Sequence, residues 1–341
     1  MKNKFTRFLM PIVASLSLSG CSILTNIVNN LFGEKNPITN NTGSGISKTS
    51  GYYKDYNLGL KGAFLECELQ QMCFDKHSVY VRYSQYNSYC QKNSSRDSIE
   101  ATAAGSSKNQ YFYTGKEASG YGTREHVWPC ANSDQLWSHD GSSVASVHNV
   151  DYTYYVGGGS DLYHVRTANS NVNTARGNSK FIDFDDPEFS YLTGIRSYTE
   201  NNGKWPLKIE GYETTSTGTI QFAKKCEPAD EMKGDVARII TYVWIHYGQH
   251  GANVTGEVNV SGHKYPKAEM CGSLQLTNIF GYDSIERCAK EISEWNKIDP
   301  PSEVEKLRNT TVQKIQGNRN MFVDFPELID QLFDEYLSNE D

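Results

Sequence analysis

The chain has 341 residues, 38% of them hydrophobic, which is enough for one large domain or two small ones. Its 33 basic and 40 acidic side chains give a formal net charge of −7. The first 60 residues hold six of the basic and two of the acidic side chains, which leaves 27 against 38 and a balance of −11. A domain with this negative charge does not attract a polyanion by its overall charge. Any contact with nucleic acid therefore needs a local basic cleft and a bound cation.

The first 20 residues are typical of an export signal. Three basic residues within the first seven precede an apolar stretch over residues 8–18, which is too short to span a bilayer comfortably. Cys21 follows Leu-Ser-Gly directly, an order that resembles the bacterial lipoprotein box; an ordinary signal peptide or a short anchor helix is the alternative. We predict cleavage before Cys21, a lipid on its thiol that anchors the exported chain to a membrane, and a flexible tether over residues 21–54.

Seven cysteines remain after Cys21. Because seven is odd, at least one thiol stays free or pairs between chains. Export permits disulfides, although the sequence does not give their connectivity. None of the seven forms a CxxC pair, which argues against a structural zinc site.

Residues 55–341 are predicted to form one domain. An opening helix is indicated by apolar residues at helical spacing, namely Leu60, Phe64, Leu65, Leu69 and Met72. An extended segment or short strand is expected over 78–83, and another strand near 110–114. Residues 184–220 are rich in turn-forming residues.

The last third is predicted to be helical. One helix face is formed by Met232, Val236, Ile239, Ile240, Val243 and Trp244. Ser302 and Glu305 fit a capping box that opens a second helix ending at Gly317. A third apolar stripe runs from Leu328 to Leu337. With no internal repeat present, a single α+β domain is the economical interpretation.

Chemistry concentrates in two segments, REHVWP at 124–129 and a polar stretch over 161–178 that is dense in Asn, Arg and His. Neighbouring side chains of a regular strand point to opposite faces, so Glu125 and His126 share a site only if the strand ends or distorts there. His126 suits a general base because its ordinary pKa lies near neutrality. Glu125 and Asn173 offer the hard oxygen ligands that Mg²⁺ prefers.

Several arginines compete for the phosphate-binding role that hydrolysis of a phosphodiester needs. Arg166 and Arg176 are the two candidates, since a guanidinium binds phosphate through two parallel hydrogen bonds.

Together, REHVWP and DLxHxRxxxxxVNxxRGN resemble the endonuclease I family of secreted and periplasmic bacterial nucleases, in the ββα-metal (His-Me finger) group. Further matching stretches follow in order: Glu227-Pro228, KGDVAR at 233–238, Trp295-Asn296, Arg308-Asn309, QGNRN at 316–320 and FVD at 322–324. The similarity runs from about residue 60 to 335.

The resemblance implies a ββα-metal finger core within a largely helical domain. It implies His126 as the general base and Glu125 and Asn173 as ligands of one Mg²⁺, for which Mn²⁺ or Ca²⁺ are substitutes. DNA and also RNA are the implied substrates, cut with little sequence preference to leave 5′-phosphates. No stable protein partner is evident.

Other site residues are predicted beside these three. Arg166 and Arg176 join His126 as catalytic candidates, and Arg124, His164 and Asn178 are expected to bind substrate. Two of these have a structural alternative, because His164 could orient the finger and Arg176 could fasten its helix to an acidic neighbour.

The sequence departs from the family pattern at Cys130-Ala131, Tyr163 and Met321, and the insertion over 139–160 leaves its loop geometry open. None of these positions is one of the three matched catalytic residues. The rival hypothesis is a non-catalytic surface protein, either an adhesin or a nucleic-acid-binding module. The acidic balance and the complete Glu125, His126 and Asn173 set both argue against it.

Overall fold

The computed structural model describes residues 51–91, 98–106, 108–118, 121–130, 156–199, 203–210, 213–214, 220–221, 225–260 and 262–338. Cys21 and most of the 139–160 insertion lie outside these ranges. Tyr53, just ahead of the predicted domain start at 55, is buried, and its hydroxyl donates a hydrogen bond to Asp324. Ordered packing therefore already includes the residues immediately before that start.

The described chain contains more helix than strand. In order they are α1 (Gly62–Lys76), α2 (Tyr86–Cys90), α3 (Ile99–Ala103), α4 (Ser170–Arg176), α5 (Asp230–Tyr247), α6 (Ile285–Ile298), α7 (Glu303–Gln316), α8 (Met321–Asp324), α9 (Leu328–Leu332) and α10 (Asp334–Leu337). None of the helices in the described ranges is long and apolar enough to cross a membrane.

The strands are short. They are β1 (Thr123–His126), β2 (Val165–Ala168), β3 (Lys180–Phe181), β4 (Arg196–Tyr198), β5 (Leu207–Ile209), β6 (Glu213–Thr214), β7 (Ile220–Gln221), β8 (Lys225–Pro228), β9 (Glu257–Val260) and β10 (His263–Pro266). One sheet has the order β3-β8-β5-β4, and β1-β2, β6-β7 and β9-β10 are antiparallel pairs.

The predicted α+β class is confirmed, and so is a ββα unit in which α4 follows the β1-β2 pair and packs against β1. Asn169 is the N-cap of α4, because its side chain accepts hydrogen bonds from the amides of Asn171 and Val172 at 2.8 and 3.2 Å. It ends at Gly177, whose φ of +51° favours glycine.

α5 forms the centre of the core. Every residue from Met232 to Tyr247 is buried, so its charged side chains need partners within the protein. Arg238 donates to both carboxylate oxygens of Glu305 at 2.8 and 2.6 Å, and the Lys233 ammonium lies 2.8 Å from Glu227. The predicted apolar face of α5 is therefore part of a helix that is enclosed on all sides.

Several local predictions need correction. The strand expected near 110–114 is replaced by isolated bridges over residues 110–117. Residues 78–82 form no strand, which leaves the extended segment as the alternative for that stretch. Phe64 is 37% exposed although α1 itself is confirmed. The predicted last helix breaks into α9 and α10.

The capping box at the start of α7 is half formed. The Ser302 hydroxyl accepts from the Glu305 amide at 3.2 Å, as expected of an N-cap. The Glu305 side chain instead binds Arg238, because a buried guanidinium attracts a carboxylate more strongly than a backbone amide does.

At Gly234, α5 packs closely against Asp299, the residue that follows α6. A Cβ placed there would lie 1.8 Å from the carbonyl oxygen of Asp299, at the end of α6. The amide of Gly234 also donates to the Asp299 carboxylate at 3.0 Å, so the two helices are fastened where they touch.

We expect Gly234→Ala to lower the free energy of unfolding by about 1–3 kcal/mol. A glycine-to-alanine change inside a helix normally stabilises it by about 1 kcal/mol, so a net loss would identify the steric clash. Urea unfolding measures the effect. The exposed α6 control Glu294→Ala should stay within about 0.5 kcal/mol of the parent, and a stabilised Gly234→Ala would contradict the close approach.

Candidate active site at the β1-β2-α4 unit

β1 ends at His126, so Glu125 and His126 are the last two residues of this strand. The strand pairs with β2 in a register that sets Glu125 opposite Arg166 and His126 opposite Val165. Asn173 of α4 reaches the same strand, since its amide nitrogen donates to Thr123 Oγ1 at 3.0 Å and to the Arg124 carbonyl at 3.3 Å. Both bonds use the nitrogen, so the carbonyl oxygen of Asn173 is the atom suited to a cation.

Glu125 is almost completely buried, with 2% of its surface exposed. The Tyr113 hydroxyl donates to its Oε1 at 2.7 Å, and Arg176 Nη1 lies 3.5 Å from the same oxygen. Burial raises the pKa of Glu125, whereas the Arg176 charge and the Tyr113 hydrogen bond act to lower it. Tyr113 is a contact that the sequence analysis missed, because it lies in a segment without a motif.

His126 is positioned by a backbone carbonyl. Its Nε2 lies 2.8 Å from the oxygen of Gly159, and because a carbonyl only accepts, Nε2 carries the proton and Nδ1 is the basic nitrogen of the neutral ring. Burial of the ring lowers its pKa to about 4, and the charges of Arg124 and Arg176 contribute. His126 is therefore neutral at pH 7, the form in which an imidazole accepts a proton.

Arg176 lies in the interior, with no exposed surface. Its guanidinium donates to the Val127 carbonyl at 2.7 Å and to the His126 carbonyl at 3.3 Å, and it covers the ring of Phe181. The side chain of the last residue of α4 is thus hydrogen-bonded to the backbone at the end of β1 and just after it. This placement favours the structural alternative for Arg176 over contact with substrate.

Arg166 is also enclosed, at 9% exposure, on the strand opposite Glu125. Its Nε lies 3.4 Å from the Glu100 carboxylate and its Nη1 3.9 Å from Asp235, and the guanidinium covers the ring of Phe112. The Arg166 guanidinium is therefore already paired with two carboxylates and is not available to bind a phosphate.

The predicted substrate-binding residues lie in three different environments. Arg124 is partly buried, with its guanidinium 4.3 Å from the ring centre of Tyr83, and Asn178 is exposed just after α4. His164 is fully buried, accepts from the Trp128 amide at 2.9 Å through Nε2, and its Nδ1 lies 2.7 Å from the Gly158 oxygen. Burial lowers the pKa of His164 to about 3, so it is a neutral element of the core.

Six cysteines in the described ranges form no disulfide within the chain, in line with the expectation that at least one thiol is free or pairs between chains: Cys73, Cys90, Cys130, Cys226, Cys271 and Cys288.

A second group with metal-ligand chemistry lies elsewhere in the core. His77, Asp161 and His246 offer ligand atoms that all lie within 4.8 Å of one another. The Asp161 oxygens already accept four hydrogen bonds, at 2.7 Å from the Tyr163 amide, 3.2 Å from Gln316, and 2.7 Å from each of the hydroxyls of Tyr242 and Tyr247. Sequence spacing gave no sign of this cluster, because its members come from three distant segments.

Buried histidines make the stability of this core sensitive to acid. Burial lowers the pKa of His77 to about 4 and that of His246 well below its ordinary value of 6.5. Between the folded and unfolded values, the unfolded chain binds more protons than the folded chain does. The free energy of unfolding therefore falls as the pH drops from about 6.5 towards 4.

We expect His77→Gln to make this fall shallower by about 1.4 kcal/mol per pH unit, the contribution of one titrating group. Urea unfolding at intervals from pH 8 to 4.5 measures it. Above about pH 7.5 unfolded histidine is neutral, so the slopes of parent and variant should coincide there. A slope between pH 6 and 5 that does not change in His77→Gln would show that this histidine is not the source.

The chain is similar to known proteins over most of its length. A sequence model described as Endonuclease I matches residues 38–327. "Extracellular ribonuclease" of Bacillus subtilis (strain 168) is 30% identical over 214 residues, which cover 62% of this chain and 53% of that protein. "Extracellular ribonuclease" of Bacillus amyloliquefaciens is 30% identical over 213 residues, with the same coverage. The chain thus spans about half the length of these curated relatives.

Proposed function

The chain belongs to the endonuclease I family, and from that premise we propose that it is a metal-dependent, non-specific endonuclease that hydrolyses phosphodiester bonds. The observation that carries the proposal is the β1-β2-α4 unit, where Glu125 and His126 end a strand to which Asn173 is hydrogen-bonded. These are the three residues that match the catalytic set of the family.

The oxygens of Glu125 and Asn173 fit one Mg²⁺, with Mn²⁺ or Ca²⁺ as substitutes. A single carboxylate with one amide oxygen suits a small hard cation that keeps several waters. The other Glu125 oxygen is occupied by Tyr113, and the Asn173 nitrogen by β1, so each side chain is held in place by its remaining atoms. A bound cation supplies Lewis-acid stabilisation of the leaving 3′-oxygen.

His126 acts as the general base. Its Nε2 proton is committed to the Gly159 carbonyl, so Nδ1 takes the proton of the attacking water and the ring becomes a cation during the reaction. The lowered pKa keeps the ring in its neutral, competent form throughout the physiological range.

The phosphate groups of the substrate can be contacted only by residues that are accessible to solvent. Arg166 and Arg176 are buried among carboxylates and carbonyls, so we assign them to holding the site together. Arg124 adjoins Glu125 on β1 and is partly exposed, and Asn178 is exposed just after α4. We therefore propose that these two bind the substrate backbone, while His164 orients the Trp128 segment from within the core.

The substrate class is DNA, and RNA in addition. The two Bacillus relatives are named as ribonucleases, which supports including RNA. The net charge of −7 argues for weak global attraction, so binding should rely on the cation and on Arg124, with easy release of product.

We expect His126→Ala to lower kcat by about 10²–10⁴-fold, the usual contribution of a positioned base. The assay follows cleavage of plasmid DNA and of RNA by the purified full chain with Mg²⁺, and EDTA should abolish the activity. His250→Gln, a histidine of the α1-α5 contact held by Glu66 and the Trp244 carbonyl, is the matched control and should cleave normally.

The proposal fails if the folded chain cleaves neither substrate, or if cleavage is unaffected by both EDTA and His126→Ala. Tight, salt-sensitive DNA binding without hydrolysis would favour the non-catalytic alternative instead.

We further propose that the enzyme is exported and held on a membrane through a lipid on Cys21. The support is the sequence before that residue and the names of both relatives, which are called extracellular. No protein partner is needed for this arrangement.

Cys21→Ser should shift the protein from the membrane fraction to the soluble fraction, because one substitution removes the thiol that would carry the lipid. Immunoblots of fractionated cells that express each form measure the shift, with Cys130→Ser as the control that keeps Cys21. Equal membrane retention of Cys21→Ser and the parent would exclude the anchor.

A further inference from the structure

Tyr113 occupies an unusual position for a core tyrosine. It is fully buried, and its hydroxyl donates to Glu125 Oε1 at 2.7 Å. Its φ is +72°, and it is the only non-glycine residue with a positive φ among those the structure describes. An aromatic residue is disfavoured in this left-handed region, so the surrounding contacts must hold it there.

Those contacts belong to the turn around Tyr113. The Phe112 amide donates to the Thr167 carbonyl of β2 at 2.7 Å, and the Gly115 amide donates to Tyr111 at 2.9 Å. The Thr114 carbonyl accepts from the Lys204 amide at 2.7 Å. Both sides of the turn are thus fixed, and the strained residue between them is the one that meets Glu125.

The hydrogen bond has a direction that bears on cation binding. The Tyr113 hydroxyl donates and the carboxylate accepts, so this bond engages Oε1 of Glu125. Arg176 approaches the same oxygen, Oε1, at 3.5 Å. Because both neighbours engage Oε1, Oε2 is the oxygen left for a cation.

We propose that Tyr113 is the positioning residue of the metal site: its hydroxyl fixes the Glu125 carboxylate so that Oε2 and the Asn173 carbonyl oxygen are presented to one divalent cation. This inference rests on the proposed function. Space filling alone does not explain a tyrosine at this position. A phenylalanine would fill the same volume, but it could not donate a hydrogen bond to Glu125 in return for the unfavourable φ.

The test is Tyr113→Phe, which removes one oxygen atom and keeps the ring. Calorimetric titration of the full chain with Mg²⁺, without nucleic acid, should show an affinity lower by roughly tenfold, as is usual when a group that orients a metal ligand is lost. The Mg²⁺ concentration for half-maximal plasmid cleavage should rise by the same factor, while the rate at saturating Mg²⁺ changes less.

Tyr282→Phe is a matched control. Tyr282 is also a buried tyrosine whose hydroxyl donates to a buried glutamate, Glu291, at 2.6 Å, outside the β1-β2-α4 unit. It should lose stability like Tyr113→Phe but keep the parent affinity for Mg²⁺. Equal Mg²⁺ affinities for Tyr113→Phe and the parent would overturn the inference.

A second comparison separates an effect of Tyr113 on the Glu125 carboxylate from an effect on the fold. In a Glu125→Gln background, where the carboxylate is already lost, Tyr113→Phe should not reduce further the rise in melting temperature caused by Mg²⁺. A further reduction there would mean that Tyr113 acts on the fold generally and would also overturn the inference.

The two proposals fail in different ways. A parent chain that cleaves no nucleic acid overturns the proposed function, whatever Tyr113 does. A parent that cleaves with Mg²⁺, while Tyr113→Phe binds Mg²⁺ equally well, overturns the role of Tyr113 alone.

Discussion

The site depends on one buried guanidinium. Arg176 is the last residue of α4, and it donates to the carbonyls of His126 and Val127 while lying 3.5 Å from the Glu125 carboxylate. One side chain therefore joins the end of the helix to the end of the strand and places a positive charge beside the only carboxylate of the unit. A buried charge costs much free energy unless it is fully paired, so these bonds restrict the arrangement to a narrow geometry.

The same charge affects the two reactive side chains in useful directions. It acts against the rise that burial causes in the pKa of Glu125, and it adds to the fall that burial causes in the pKa of His126. The Arg176 charge thus favours an ionised Glu125 and a neutral His126, the forms that the proposed roles of metal ligand and general base require. One buried cation thus acts on the pKa of both side chains.

The sequence predicted the part of the site that depends on neighbouring residues. Glu125 and His126 were expected where a strand ends or distorts, because adjacent side chains point to opposite faces of a regular strand. Tyr113 could not be found this way, since its role comes from a turn whose φ has no sequence signature at a tyrosine. The sequence identified the candidate arginines but could not assign each one to a structural or a substrate-binding role. That assignment depends on burial, which separates Arg166 and Arg176 from Arg124 and is set by residues far away along the chain.

The fold shows the same difference between features set by neighbouring residues and features set by distant ones. The spacing of apolar residues predicted α5 but not that polar partners enclose its other faces, since Glu305 and Glu227 approach from distant segments. Glu305 shows the consequence: local chemistry offered it as half of a capping box, and the buried Arg238 bound it instead. At Glu305, long-range charge pairing prevailed over a local motif because the Arg238 guanidinium is buried. Arg176 is buried as well and must be paired within the protein, which is why it constrains the geometry of the site more than an exposed arginine would.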